Sequence, residues 1–107
     1  MTFIVQELPK AKLDKDSIFR WLHERSPAGA SSWLRAYDSL IDRLREDASA
    51  CVFAPENQDC DFDVRQALIK TRRGRIYRAL FFIAGDEDFI LRVRGPGQAS
   101  VEPEDLR

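Results

Sequence analysis

The apolar positions of this chain change period twice. Residues 2–7 alternate weakly and are rich in strand formers (Phe3, Ile4, Val5), which predicts a first strand. From Lys10 to Arg25 the apolar residues Ala11, Ile18, Trp21 and Leu22 fall on one stripe at helical spacing. Pro9 suits the opening of that helix, because its missing N–H would have no partner there. A second helix is marked more strongly. Ala30, Trp33, Leu34, Tyr37, Leu40, Ile41, Leu44 and Ala48 recur at steps of three, one and four. Ser26 is a good N-cap, Pro27 fits the first helical position, and a proline pushes the residue before it into the extended conformation that a cap needs. With almost no chain between them, the two helices should form an antiparallel hairpin.

Residues 49–63 contain Pro55, Asn57 and the acids Glu56, Asp59, Asp61 and Asp63, which predicts a solvated loop; no metal-ligand spacing stands out in it. Period-two runs then return at 64–72, 75–84 and 88–94, separated by Arg73-Gly74 and by Gly85-Asp86-Glu87, both hairpin-turn material. The stretch after Arg94 is polar and punctuated by Pro and Gly, and reads as a tail or a docked extension. The expected architecture is one α+β domain over residues 1–107: an antiparallel β-sheet, made of the N-terminal strand and a three-strand meander, packed on a two-helix hairpin.

A register can be tested against hydrophobicity. If Arg73-Gly74 and Asp86-Glu87 are each the central pair of a tight hairpin, Phe82 stands opposite Leu91, Leu80 opposite Val93 and Ala67 opposite Leu80, with Phe89 on the same face. That face is almost wholly apolar and should receive the helices. The opposite face then carries Leu68, Lys70, Tyr77, Phe81, Ile83, Ile90, Arg92 and Arg94, with Arg72 and Arg75 at its rim. Basic groups around an aromatic on an open face suit phosphate contact, base stacking or the docking of an acidic peptide. Arg78 falls on the core side near an end, where its stem can pack and its head reach water. An exposed Phe81/Ile83/Ile90 patch would also serve self-association, so a homo-oligomer stays open. A slip of one residue would scramble the whole assignment.

Charge sharpens the picture. The chain has 17 Lys and Arg against 18 Asp and Glu, a net charge of −1. Between Arg65 and Arg94, however, eight basic residues meet only three acids, so that segment is +5 within a remainder of −6. This points to a localised anion-binding face. The 44% of hydrophobic residues, with seven Phe, two Trp and two Tyr, is enough for a core. No apolar run approaches the ~20 residues of a membrane helix, and the N-terminus lacks the pattern of a secretory signal. Cys51 and Cys60 make neither a disulfide framework nor a metal quartet, and read as reduced thiols of a cytoplasmic protein. Nothing calls for a cofactor or a metal.

The element order resembles that of the ParE/RelE toxin superfamily of type II toxin–antitoxin and plasmid stabilisation systems. Three stretches carry the likeness. Trp21-Leu22-His23-Glu24-Arg25-Ser26-Pro27 is similar to the "ERSP" helix junction common in ParE-type members. Arg73-Gly74-Arg75-Ile76-Tyr77-Arg78-Ala79-Leu80-Phe81 resembles their "GRYRVLY" strand, and Phe89-Ile90-Leu91-Arg92-Val93-Arg94 their closing "ILRVRH" strand. The resemblance spans roughly residues 1–98. It implies a small, usually acidic antitoxin as partner, wrapping the toxin. It implies one of two targets. ParE-type members act on DNA gyrase and are not enzymes in that role; RelE-type members cleave mRNA on the ribosome. The junction is ParE-like, and Gly95 stands where many relatives carry His, so gyrase inhibition ranks first. In the ribonuclease alternative Lys70, Tyr77, Arg92 and Arg94 would be the catalytic set, moving protons and steadying phosphate. Arg72, Arg73, Arg75, Phe81, Ile83 and Ile90 would contact target or antitoxin. A third reading is a non-toxic relative that keeps only the partner-binding surface.

Overall fold

The computed structural model describes residues 2–72 and 74–106. Strand β1 (Ile4–Glu7) leads into helix α1 (Pro9–Arg25), which meets α2 (Pro27–Asp47) across a single residue. Strands β2 (Arg65–Ile69), β3 (Tyr77–Ala84) and β4 (Glu87–Arg94) follow. The sheet order is β1-β4-β3-β2; the meander is antiparallel and β1 joins β4 in parallel, so the sheet is mixed. The helices cover one face, α1 lying on β4 and α2 on β2 and β1. The expected α+β class, with a helical hairpin on a strand-plus-meander sheet, is observed; the sheet is not antiparallel throughout as expected, because α1 and α2 return the chain so that β1 lies parallel to β4.

The N-cap of α2 is where the sequence places it, and the same residue also ends α1. Ser26 is extended; its N–H closes α1 on the Leu22 carbonyl at 2.7 Å while its Oγ accepts from the Gly29 N–H at 3.0 Å to open α2. On α2, Ala30, Trp33, Tyr37, Leu40 and Leu44 are buried, with Ala48 buried just past its end. On α1 only Ala11 is fully buried, and Trp21, expected in the core stripe, is 52% exposed. Its ring is covered instead by the Arg25 guanidinium, 3.7 Å from the ring centroid.

The register differs from the expected one at both turns. Ala84 pairs with Glu87, so Gly85, at φ +63°, and Asp86 are the central pair, one residue earlier than Asp86-Glu87. Only glycine takes that left-handed conformation without a Cβ penalty, and this fixes the turn. Phe82 therefore faces Phe89, and a bulge leaves Leu91 as an extra residue, so that Leu80 faces Arg92 and Ala79 faces Val93. Between β2 and β3 the last pair is Ile69 with Tyr77, a far longer connection than a two-residue hairpin, and Ala67 faces Ala79 instead of Leu80. Arg73, half of the expected turn, lies outside the described residues.

As a result the helices sit on the side of β3 expected to be open, the one that carries Tyr77, Phe81 and Ile83, while Ala67 and Val93 lie on the helix side as expected. Phe81 and Ile90 are fully buried with Trp33, Tyr37, Leu40, Ala67, Ile69, Ala79 and Val93, and Ile83 and Tyr77 pack against that core. Ala67 and Ala79, paired across β2 and β3, belong to the same core as Trp33 and Tyr37. The other face is covered too. Val64, Leu80 and Leu91 are buried with Ala54, Val101 and Leu106, and Phe62 and Phe82 pack against them. Residues 49–63 are thus no solvated loop. Ala54 donates to the Val64 carbonyl at 2.9 Å, a 3-10 turn forms at Pro55–Asp59, and the tail after β4 docks beside it.

One buried ion pair fastens this second layer. Both guanidinium Nη atoms of Arg78 donate to Glu56, at 2.8 and 2.6 Å, and Glu56 also accepts from the Val101 N–H at 3.0 Å. The Arg78 head thus meets a carboxylate and not water. Burial acts to raise the Glu56 carboxyl, but these hydrogen bonds outweigh it and hold it at about 2. Asp88 is the opposite case. It is fully buried, both carboxylate oxygens lack a partner among the described residues, and burial raises it to about 6.

Two stability effects of opposite sign follow. Replacing Glu56 by Gln breaks the pair with Arg78 and should cost about 3 kcal/mol at neutral pH. A depressed carboxyl stabilises the fold above its unfolded pKa, so this cost should shrink as pH falls below the ordinary carboxylate range toward 2, which urea titrations at several pH values will read. Asp88→Asn should instead raise stability at pH 7 by about 3 kcal/mol. A raised carboxyl helps only while protonated, so the native chain's disadvantage should vanish near pH 4; equal stabilities at pH 7 would refute the assignment.

Candidate functional site

Because Ser26 serves both helices at once, the hairpin turns within one residue, and Trp21 and Trp33 come to the same end of the molecule. There the α1–α2 junction faces the β2–β3 connection and the turn after β4 across a cleft of about 1360 Å³. Ile18, Trp21 and Leu22 of α1, Ala28 and Trp33 of α2, and Tyr77 at the start of β3 give it apolar walls. Ser17, Ser26, Ser32 and Thr71 add hydroxyls, and the exposed Arg72 and Arg75 line it from the connection. No acidic residue is among the described residues that line it.

The aromatic wall is held by its neighbours. Tyr77 meets Trp33 edge-on, ring centroids 5.6 Å apart, and Trp33 packs on Tyr37 at 5.6 Å. The Tyr37 hydroxyl donates to Glu7 Oε2 at 2.7 Å, and Lys15 Nζ lies 3.0 Å from the same oxygen. Burial alone would raise the Glu7 carboxyl, but these two donors outweigh it and bring it down, while burial and the hydrogen bond to Glu7 raise the Tyr37 hydroxyl. Burial likewise raises the Tyr77 hydroxyl, against the nearby charge of Arg75. Gly95 is part of this packing: a Cβ at that position would lie 2.9 Å from Tyr77 Cε2.

The four residues of the candidate catalytic set do not converge. Tyr77 is in the cleft. Lys70 is exposed and lines a separate groove of about 520 Å³ between α2 and β2, with Arg43, Val52 and Leu68. Arg92 is engaged by Asp14 of α1, its Nε and Nη2 donating at 2.7 and 2.9 Å, and the same carboxylate accepts the Val93 N–H at 3.0 Å. That hydrogen bond with Asp14 raises the Arg92 pKa. Arg94 donates to the Ala99 carbonyl at 2.8 Å. Of the candidate contact residues, Arg72 and Arg75 reach the cleft, Phe81 and Ile90 lie in the core beneath the helices, and Ile83 packs on that core. Arg73 is outside the described residues.

The helical wall residues, Ile18, Trp21, Leu22, Ala28 and Trp33, are absent from the candidate set drawn from the sequence. Trp21 and Trp33 both fit a helical stripe and were read as core alone, and Trp33, at 2% exposure, is indeed mostly core. The available signal was the Ser26-Pro27 junction, since a one-residue hairpin forces the residues flanking it to one end.

Comparison with known proteins adds one fact. No protein-family model matches the chain, and no curated protein matches it in sequence. Among solved structures it is similar to a chain of a structure described as a chromosomal ParDE TA system from P. aeruginosa, with a TM-score of 0.63 and 20% sequence identity, over 88% of this chain and 96% of that one. The two chains share a fold. At this identity the likeness carries the architecture and says nothing of the cleft. Among the described residues, no helix is long and apolar enough to cross a membrane, and no three His, Cys, Asp or Glu residues are grouped to hold a metal ion.

Gly95→Ala tests the wall directly. The new methyl must displace the Tyr77 ring, at a cost of about 1 kcal/mol, and should change tryptophan emission through the Tyr77–Trp33 contact. Unchanged stability and emission would mean that the two residues do not touch.

Proposed function

We propose that this chain is the toxin component of a type II toxin–antitoxin pair, ParE-like, which acts in the cytoplasm by binding DNA gyrase and is neutralised by a cognate antitoxin. The observation that carries this reading is the fold it shares, over nearly its whole length, with a chain of a ParDE system. Binding is favoured over RNA cleavage by the way the basic groups are used. A ribonuclease needs cations and proton-transfer groups aimed at one phosphodiester. Here Arg92 is held by Asp14, Arg94 by a carbonyl of its own tail, and Lys70 faces a different groove from Tyr77. A binding surface has no such requirement for convergence, and the cleft offers apolar walls with two exposed arginines, a composition common in protein contacts.

Induction of the chain alone in a bacterial culture, with labelled precursors of DNA, RNA and protein, tests the proposal. DNA synthesis should fall first, cells should filament, and the purified chain should block gyrase supercoiling at micromolar concentration. Protein synthesis falling first, with cuts in translated message, would replace this reading by the ribonuclease one. Unimpaired growth and supercoiling, with the chain folded and in solution, would leave a partner-binding relative without toxicity.

A further inference from the structure

The positive charge of the chain is mostly engaged within it. Lys10, Lys15, Arg25, Arg45, Arg78 and Arg92 form ion pairs with acids. Arg20, Arg43, Arg65 and Arg94 donate to backbone carbonyls, and Arg35 to a serine hydroxyl. Among the described residues, Lys12, Lys70, Arg72 and Arg75 make neither an ion pair nor a side-chain hydrogen bond; Lys12 lies on α1, and the other three belong to the β2–β3 connection at the cleft end of the sheet. Outside residues 65–94 the chain carries a net −6. An anionic ligand is therefore repelled by most of the surface and drawn to this end.

We infer that the cleft at the helix junction seats an acidic peptide segment that inserts a bulky apolar side chain between Trp21, Ile18 and Tyr77 and sets its carboxylates on Arg72 and Arg75. The volume of about 1360 Å³ exceeds the about 300–1,000 Å³ of small-molecule pockets and suits a stretch of chain. The apolar wall supplies an anchor site and the arginines supply charge-assisted hydrogen bonds to carboxylates. A nucleic acid strand fits less well, because it needs ring faces on which bases stack. Trp33 is 2% exposed, Tyr77 is half-buried against it, and one face of the Trp21 ring is already covered by Arg25. That the segment belongs to an antitoxin rests on the toxin reading above; the chemistry of the seat does not.

The chain contains two tryptophans, Trp21 and Trp33, and both line the cleft, so intrinsic emission reports on it. The full chain should be panned against a phage-displayed library of short random peptides and the enriched peptides synthesised for fluorescence titration. Enriched sequences should pair Asp or Glu with Leu, Ile or Phe, and their binding should shift tryptophan emission. The double variant Arg72→Ala/Arg75→Ala should weaken binding about tenfold at low salt and less at high salt. Ala28→Trp, which fills the cleft from an exposed helix position, should abolish it. Peptides without acidic enrichment, or binding indifferent to both variants, would overturn the inference. So would a poly-uridylate oligonucleotide that gives the same arginine-dependent emission change more strongly than the peptides. The culture experiment separates the two proposals. Growth arrest without peptide binding in the cleft overturns the seat and leaves the toxin; peptide binding in the cleft without arrest does the reverse.

Discussion

Leu80 and Phe81 are neighbours in β3, both are fully buried, and their side chains enter different cores on the two faces of the sheet. Successive strand residues point to opposite sides, so a strand reading Leu80-Phe81-Phe82-Ile83 cannot leave either side in water. Each large apolar side chain left exposed would forgo about 1.5–3 kcal/mol. One helical hairpin covers only one side. The chain covers the other with the two segments that have least secondary structure, residues 49–63 and the tail after β4. These bring few apolar groups of their own, mainly Ala54, Phe62, Val101 and Leu106, and need a polar fastening. Glu56 provides it by binding Arg78 of β3 and the backbone of the tail with one carboxylate.

The same economy of polar contacts fixes what the surface can offer. Asp14 closes the end of β4 beyond the short strand β1, taking Arg92 and the Val93 N–H together. Glu7 joins β1 to both helices through Lys15 and Tyr37. Every such latch removes a cation from the pool that could meet a ligand, which is why, among the described residues, a segment with net +5 leaves cations without a partner only on the β2–β3 connection. Asp88 shows what happens when a carboxylate is buried without a latch, since its proton is then held well above the usual range.

Local signals were legible in the sequence and long-range ones were not. Ser26 and Pro27 act within a few residues of themselves, and the helices they bound appear where the periodicity places them. The three meander strands were found for the same reason. Their register was lost at the β2–β3 connection, far longer than the expected two-residue turn, and at two places in the second hairpin. The Gly85-Asp86-Glu87 stretch allows either of two central pairs, and choosing the later one displaces every partner. The bulge at Leu91 then shifts the rest of β4, and no local pattern announces it because Ile90, Leu91 and Val93 are all apolar. The choice of face failed for a different reason. With both sides of β3 apolar, hydrophobicity cannot say which side meets the helices. That error moved Phe81 and Ile90 from a surface patch into the core.

The cleft, by contrast, is made largely of residues that the core does not require. Trp21, Arg72 and Arg75 are exposed, and the two arginines stand on a connection, where sequence can change without disturbing the strands it joins. The core fixes only the back of the cleft, through Trp33 and Tyr77. A chain with 20% identity can therefore keep the whole architecture while presenting different chemistry at this end. Under the cleft proposal, partner choice lies with the helix junction and the β2–β3 connection, and not with the sheet face that carries Arg92 and Arg94. The guanidiniums there already hold the fold together, and a ligand that recruited them would have to break Asp14 or the tail away first.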